Sequence, residues 1–255
     1  MSAEVARPRS REFVQTLAAE LSKLWSLPAV WLTLGGSLIL NLVLSAAFVS
    51  AELQGSTGTR DILDIELASI SYIQAGFIIL GIIASCSEHS GWQIRTTLTA
   101  LPRRNLQLAA AHLALTIIVV PAAIITAASG VLLAAIALGD ASSASVELGG
   151  TIGVLAGVTG YLGLTTLISA SLGVLLRRTL PAAIVVLGYT FIAGPILREQ
   201  TAQAKYLPDT AGLAMWFPQP GDASALPPSH GAIVLVAWTL GAFVIALAAY
   251  RMRDM

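Results

Sequence analysis

Charged residues divide this chain into six long apolar stretches, each free of Asp, Glu, Lys and Arg over a helix-length run. A helix needs about 20 apolar residues to cross about 30 Å of hydrocarbon. The first stretch lies between Lys23 and Glu52 and predicts a span over about 28–50, with Pro28 in its first turn, where a missing N–H costs nothing. The second lies between Glu66 and Glu88, the third between Arg104 and Asp140, and the fourth between Glu147 and Arg177. The fifth runs from Thr179 to Leu197, with Pro181 at its start and Gly194-Pro195 at its end, and the sixth follows Pro227-Pro228 and stops before Arg251. The pattern predicts an all-α integral membrane protein of six transmembrane helices.

Details within the stretches refine this plan. The third is longer than a bilayer requires, so it tilts or its first turns stand outside the membrane, and Pro121 is expected to interrupt and kink it. Gly149, Gly153 and Gly157 repeat every four residues in the fourth, a spacing that lets helices approach closely, within the chain or between two copies. Before the first span, Phe13, Leu17, Leu21, Leu24 and Trp25 share one helical face. This predicts an amphipathic helix of about four turns lying flat on the membrane surface, with Glu20 at its apolar edge, solvated or paired with Lys23 three residues on. The loop over 198–229 carries five prolines and the pair Trp216-Phe217. It is expected to form one or two short interfacial helices with both aromatics at headgroup depth.

Charge sets the orientation. Eleven of the fourteen basic residues fall before span 1, after spans 2 and 4, or in the tail; only Arg60, Arg198 and Lys205 lie in the other gaps. The positive-inside bias then places both termini in the cytoplasm. The chain divides into a cytoplasmic N-terminus, 1–27, and a six-span domain, 28–255. The apolar fraction of 56% and charged fraction of 11% require lipid as the solvent for most of the chain. The alanine-rich composition suggests a bacterial cell membrane.

Composition also excludes chemistry. The only lysines, Lys23 and Lys205, lack the preceding glycines of a phosphate-binding loop, so this chain carries no ATPase site of its own. Cys86 is the single cysteine, and His89, His112 and His230 are far apart, which leaves no disulfide or metal-ligand spacing. No basic run interleaved with aromatics points to nucleic acid. The spans hold no acid or base at the midplane of the kind that ion-coupled carriers use, and His112 reads as an interfacial histidine. Polar span residues are helix-to-helix glue by default; Asn41, Gln74 and Tyr189 are the candidates for a substrate path.

The remaining constellation is the cytoplasmic loop over 87–105. It opens on Glu88, turns at Gly91, anchors on Trp92 and continues through Arg95, Thr97 and Leu98 to Pro102 and Arg103. Here the chain resembles the permease subunits of ABC-2 type exporters, in which a glutamate, a nearby glycine, an Arg-Thr-Leu-like stretch and a Pro-Arg pair recur. Glu88, Gly91, Arg95, Thr97, Leu98, Pro102 and Arg103 match by position. The amphipathic helix with Glu20 and Lys23, the six spans, the long last outer loop and the short basic tail extend the resemblance over the whole length. It implies a homo- or heterodimer of such chains, each docked to a separate ATPase subunit that carries ATP-Mg. The loop would be the coupling element, the helix from Arg11 to Trp25 the connecting helix, and spans 1, 2 and 5 would move around a path at the dimer interface. The substrate is not legible. Two alternatives stand beside this expectation: a facilitative or gradient-driven carrier, and a non-transporting polytopic protein.

Overall fold

The computed structural model describes residues 9–54, 62–87, 104–138, 148–217 and 226–252. Among these residues the structure is helical throughout, with no strand. Helix α1 covers Arg9–Ser26, α2 Pro28–Gln54, α3 Ile62–Cys86, α4 Arg104–Leu138 and α5 Leu148–Leu176. Helix α6 covers Thr179–Gly188 and passes through a π turn, Tyr189–Ala193, into α7, Gly194–Gln200. A 3₁₀ turn at Ala202–Tyr206 and α8, Pro208–Ala214, precede α9, Pro228–Met252. Six segments are long and apolar enough to cross a membrane: α2, α3, α4, α5, the continuous α6–α7 rod, and α9. Their bounds agree with the six apolar stretches.

Helix α3 is the central element. In its apolar stretch 61% of residues are buried, against 17% in α6–α7 and in α9, so those two stand at the periphery. Close backbone approach at glycine puts α3 there. A Cβ on Gly81 would lie 2.3 Å from the Thr166 carbonyl oxygen of α5, and one on Gly76 would collide with Ser37 of α2. In lipid, where apolar surface gives helices no reason to associate, such close van der Waals packing holds the bundle together. Two members of the four-residue glycine repeat of α5, Gly153 and Gly157, do not serve this purpose. A Cβ on Gly153 would meet nothing, and Gly157 faces the Met215 carbonyl just beyond α8 rather than a span.

Helix α4 is 35 residues long and runs through Pro121 without interruption. Its surplus length is explained by α1, which packs against its first turns. Thr16, Glu20 and Leu24 of α1 are buried, while Val14 and Trp25 are exposed. The sequence expectation of a helix on the surface with Glu20 at its edge is therefore modified: the buried stripe includes Glu20 and faces the bundle. At the join to α2, Trp31 Nε1 donates to the Trp25 carbonyl at 2.8 Å, and the two rings meet edge to face.

The proline in α6–α7 acts where it was expected to end a span. Pro195 has no N–H and its ring would strike the Phe191 carbonyl in an α-helix. The chain instead inserts one residue: the Gly194 N–H bonds the Tyr189 carbonyl, five residues back, and the helix resumes to Gln200.

Candidate functional site

The loop residues Glu88, Gly91, Trp92, Arg95, Thr97, Leu98, Pro102 and Arg103 lie outside the described residues. The elements flanking that loop are described, and they converge. Glu20 and Leu24 of α1, Ala84 and Ser85 near the end of α3, and Gln107 and Leu108 in the first turns of α4 surround one small cavity. Lys23 Nζ pairs with Glu20 at 3.0 Å. Gln107 Oε1 is buried with no hydrogen-bond partner among the described residues. Phe13, Leu17 and Leu21 are half-buried, the latter two packed against the main core, whereas Trp25 points away. His112 closes the far side, with Nδ1 3.0 Å from the Leu108 carbonyl and Nε2 3.0 Å from Ser171 Oγ. Both ring nitrogens are thus engaged within the protein.

The three candidates for a substrate path are not brought together. Asn41 is fully buried between helices: its Nδ2 donates to the Thr126 carbonyl of α4 at 2.9 Å, and its Oδ1 accepts from Ser69 of α3 at 2.8 Å. Gln74 is also buried; its Nε2 donates to the Ser71 carbonyl at 2.6 Å, and its Oε1 accepts from the Tyr161 hydroxyl of α5. Tyr189 alone faces a large cavity.

Tyr189 is the first residue of the π turn, and its hydroxyl donates to Asp209 Oδ1 at 2.8 Å. Arg198 Nη2 meets Asp209 Oδ2 at 3.1 Å, and Arg198 Nε donates to Thr210 Oγ1 at 3.3 Å. Gly194 leaves room for the carboxylate, since a Cβ there would lie 2.4 Å from Asp209 Oδ2. The Asp209 side chain is 5% exposed and that of Arg198 36%. Removing a lone carboxylate from water is prohibitive, so its burial depends on these partners.

The depth of this cluster is unexpected. Tyr189 follows the ten residues of α6, about 15 Å from the end of the bundle marked by Arg177 and Arg178. From the opposite end, Trp238 lies ten residues into α9, again about 15 Å along, and its Nε1 donates to the Tyr206 carbonyl. Asp209 lies beside Gly194, fifteen residues into the α6–α7 rod, and Ala211 lies beside Gly231, three residues into α9, so Tyr206 to Asp209 dip into that end of the bundle short of its middle. The segment after α7 therefore folds back among the spans and rises again through α8. Trp216, expected at headgroup depth, is instead 1% exposed and packs beside Tyr161, with ring centroids 5.8 Å apart; Phe217 remains exposed.

Below the hairpin lies a cavity of about 780 Å³. Tyr206, Leu207, Pro208 and Asp209 form its roof, and α5, α6 and α9 form its walls. Neither Asp209 nor this cavity was legible in the span pattern, because Asp209 belongs to a loop by composition. The available signal was the near absence of charge from Tyr206 to Phe217, where Asp209 is the only charged residue. No acid lies within the six apolar stretches, yet Asp209 of the folded-back segment is buried among them.

Comparison with protein-family models finds no match to this chain, and comparison with curated proteins finds none.

Proposed function

We propose that this chain is the membrane-spanning permease subunit of an ATP-driven ABC-2 type exporter in a bacterial cell membrane, with both termini cytoplasmic. The observation that carries the reading is the convergence of α1, the end of α3 and the start of α4 around Glu20 and Gln107. The loop over 87–105 joins those same ends of α3 and α4. A push on the loop is therefore delivered to the central helix, to α4 and to the buried face of α1 together. This is the arrangement a coupling loop and connecting helix require. The ATPase subunit is a separate chain, because this one has no phosphate-binding loop, and a second permease chain completes the dimer. Swinging a gate from 1:99 to 99:1 takes about 5.5 kcal/mol of differential binding, which the partner's ATP cycle supplies.

The test is co-purification from mild detergent followed by an ATPase assay. An ATPase subunit should come down with the wild type and be stimulated by it. Charge reversal at Glu88 or Arg95 should abolish stimulation while the protein stays in the membrane; normal stimulation in those variants overturns the assignment.

One observation favours a second reading. Asp209, buried among the spans and paired with Arg198, is the kind of ionisable group that marks ion pathways. A gradient-driven carrier would transport in liposomes with no ATPase present and lose that transport in Asp209→Asn. The exporter reading expects no transport without the ATPase in either protein.

A further inference from the structure

The cavity under the hairpin has a shape, a mouth and a charged threshold. It follows α5 from Tyr161 down to Leu175, fourteen residues or about 21 Å. That exceeds one leaflet of a hydrocarbon slab about 30 Å thick. Helices α6 and α9 both pack on α5 but not closely on each other, leaving a slot between them. Val185, Trp238 and Ile245 line the cavity and are also exposed, so the slot opens sideways to the bilayer. The hairpin shuts its upper end. Its lower end, at Leu175 and Ile245, lies just above the two-residue turn Arg177–Arg178.

That turn is built to hold both arginines at the threshold. Arg177 adopts φ 53°, the left-handed conformation that stops α5, and α6 begins at Thr179. Arg178 is exposed, Arg177 half-buried, and neither pairs with a carboxylate among the described residues. An apolar slot open to lipid, ending at two arginines with no carboxylate partner among the described residues, has the chemistry of an anionic lipid.

We propose that this slot binds a phospholipid with an anionic headgroup, drawn from the leaflet at the arginine end. One acyl chain lies along α5 between α6 and α9, with its tip under Tyr206 to Asp209, and the phosphate sits at Arg177–Arg178. The proposal does not depend on the exporter reading.

Native mass spectrometry of the full chain in a neutral detergent tests it. The probes are phosphatidylglycerol and phosphatidylcholine with identical acyl chains. At about 1 kcal/mol per arginine near a headgroup, the wild type should retain the anionic lipid about 30-fold better. Arg178→Gln should remove several-fold of that preference, and Arg177→Gln with Arg178→Gln nearly all of it. Gly241→Trp should lose both lipids. Gly241 lines the cavity and a Cβ there meets nothing within 4 Å, so the indole can fill the slot without strain at the backbone. Equal retention of the two lipids by the wild type, or unchanged retention by Gly241→Trp folded with a wild-type melting temperature, overturns the proposal. If Gly241→Trp or the double variant does not fold, Arg178→Gln at its exposed position decides: an unchanged preference overturns the headgroup assignment and the proposal with it.

Discussion

Asp209 shows how one side chain can organise an irregular segment inside a membrane protein. Non-helical backbone at membrane depth survives only where protein or a cavity satisfies it. Here the carboxylate ties the hairpin to α6 through Tyr189 and to α7 through Arg198. Replacing Asp209 with Ala strands the hydroxyl of half-buried Tyr189 and one arm of Arg198. A loss of about 1–3 kcal/mol is expected from the unsatisfied partners. It should appear as a lower thermal unfolding midpoint in detergent, with Asp209→Asn closer to wild type. An unchanged midpoint for Asp209→Ala would mean that the cluster does not hold the hairpin. Asn41 represents the opposite outcome for a buried polar residue: both ends of its amide are used between helices, and none of it faces a cavity. In the sequence, Asn41 and Tyr189 looked alike as polar residues in apolar spans. The partners that separate them lie 85 and 20 residues away, beyond any local pattern.

Among the helices, existence and extent were legible and packing was not. An apolar run of helix length between charges has few alternatives in lipid, which is why the six bounds agree with the structure. Glycine spacing carried less. The repeat in α5 satisfies the close-packing pattern, yet the tight crossing of α3 on α5 is made at Gly81, which belongs to no repeat. Pattern records which positions are small; the neighbour decides whether smallness is needed. This separates two substitutions of identical chemistry. Gly81→Ala must push Thr166 backbone away and should cost about 1–3 kcal/mol by overpacking. Gly153→Ala meets open space and should be neutral or gain up to about 1 kcal/mol of helix propensity. Thermal unfolding of the two variants side by side is the measurement, and equal effects would contradict the α3–α5 crossing. The same limit applies to α1. Its amphipathic stripe was readable, but whether that stripe met lipid or protein depended on the surplus turns of α4 beside it.

For the molecule as a whole, the distribution of arginines predicts orientation, and the fold offers a way to test it. Cys86 is the only cysteine and is buried, so a Cys86→Ser background leaves no competing thiol. Ser26, at the join of α1 and α2, and Ala202, beyond α7, are both exposed and lie toward opposite ends of the bundle. With the termini in the cytoplasm, Ala202→Cys should react with a membrane-impermeant maleimide in intact cells. Ser26→Cys should react only after permeabilisation. The reverse pattern would invert the topology and move the loop over 87–105 to the side where no ATP is available. The candidate site divides along the same line. Its half beside the loop over 87–105 was suggested by motif resemblance, because loop motifs are local in sequence. Its other half, with Asp209, Arg198 and the lipid slot, depends on a chain reversal that no periodicity encodes.

The π turn at Tyr189–Ala193 makes the α7 end of the fifth span a rotary latch. An α-helix advances about 100° per residue, so the one inserted residue turns everything beyond it by that amount relative to the lower half. Pro195 holds the latch, since closing the turn to regular α geometry would drive its ring into the Phe191 carbonyl. Pro195→Ala releases it. The regular helix then becomes available, and in it the Arg198 side chain swings about a quarter turn away from Asp209. Spin labels on Glu199 and Thr210 should report a second, longer distance population in Pro195→Ala and a single one in the wild type. A single unchanged distance in the variant would show that the hairpin, and not the proline, keeps the latch closed.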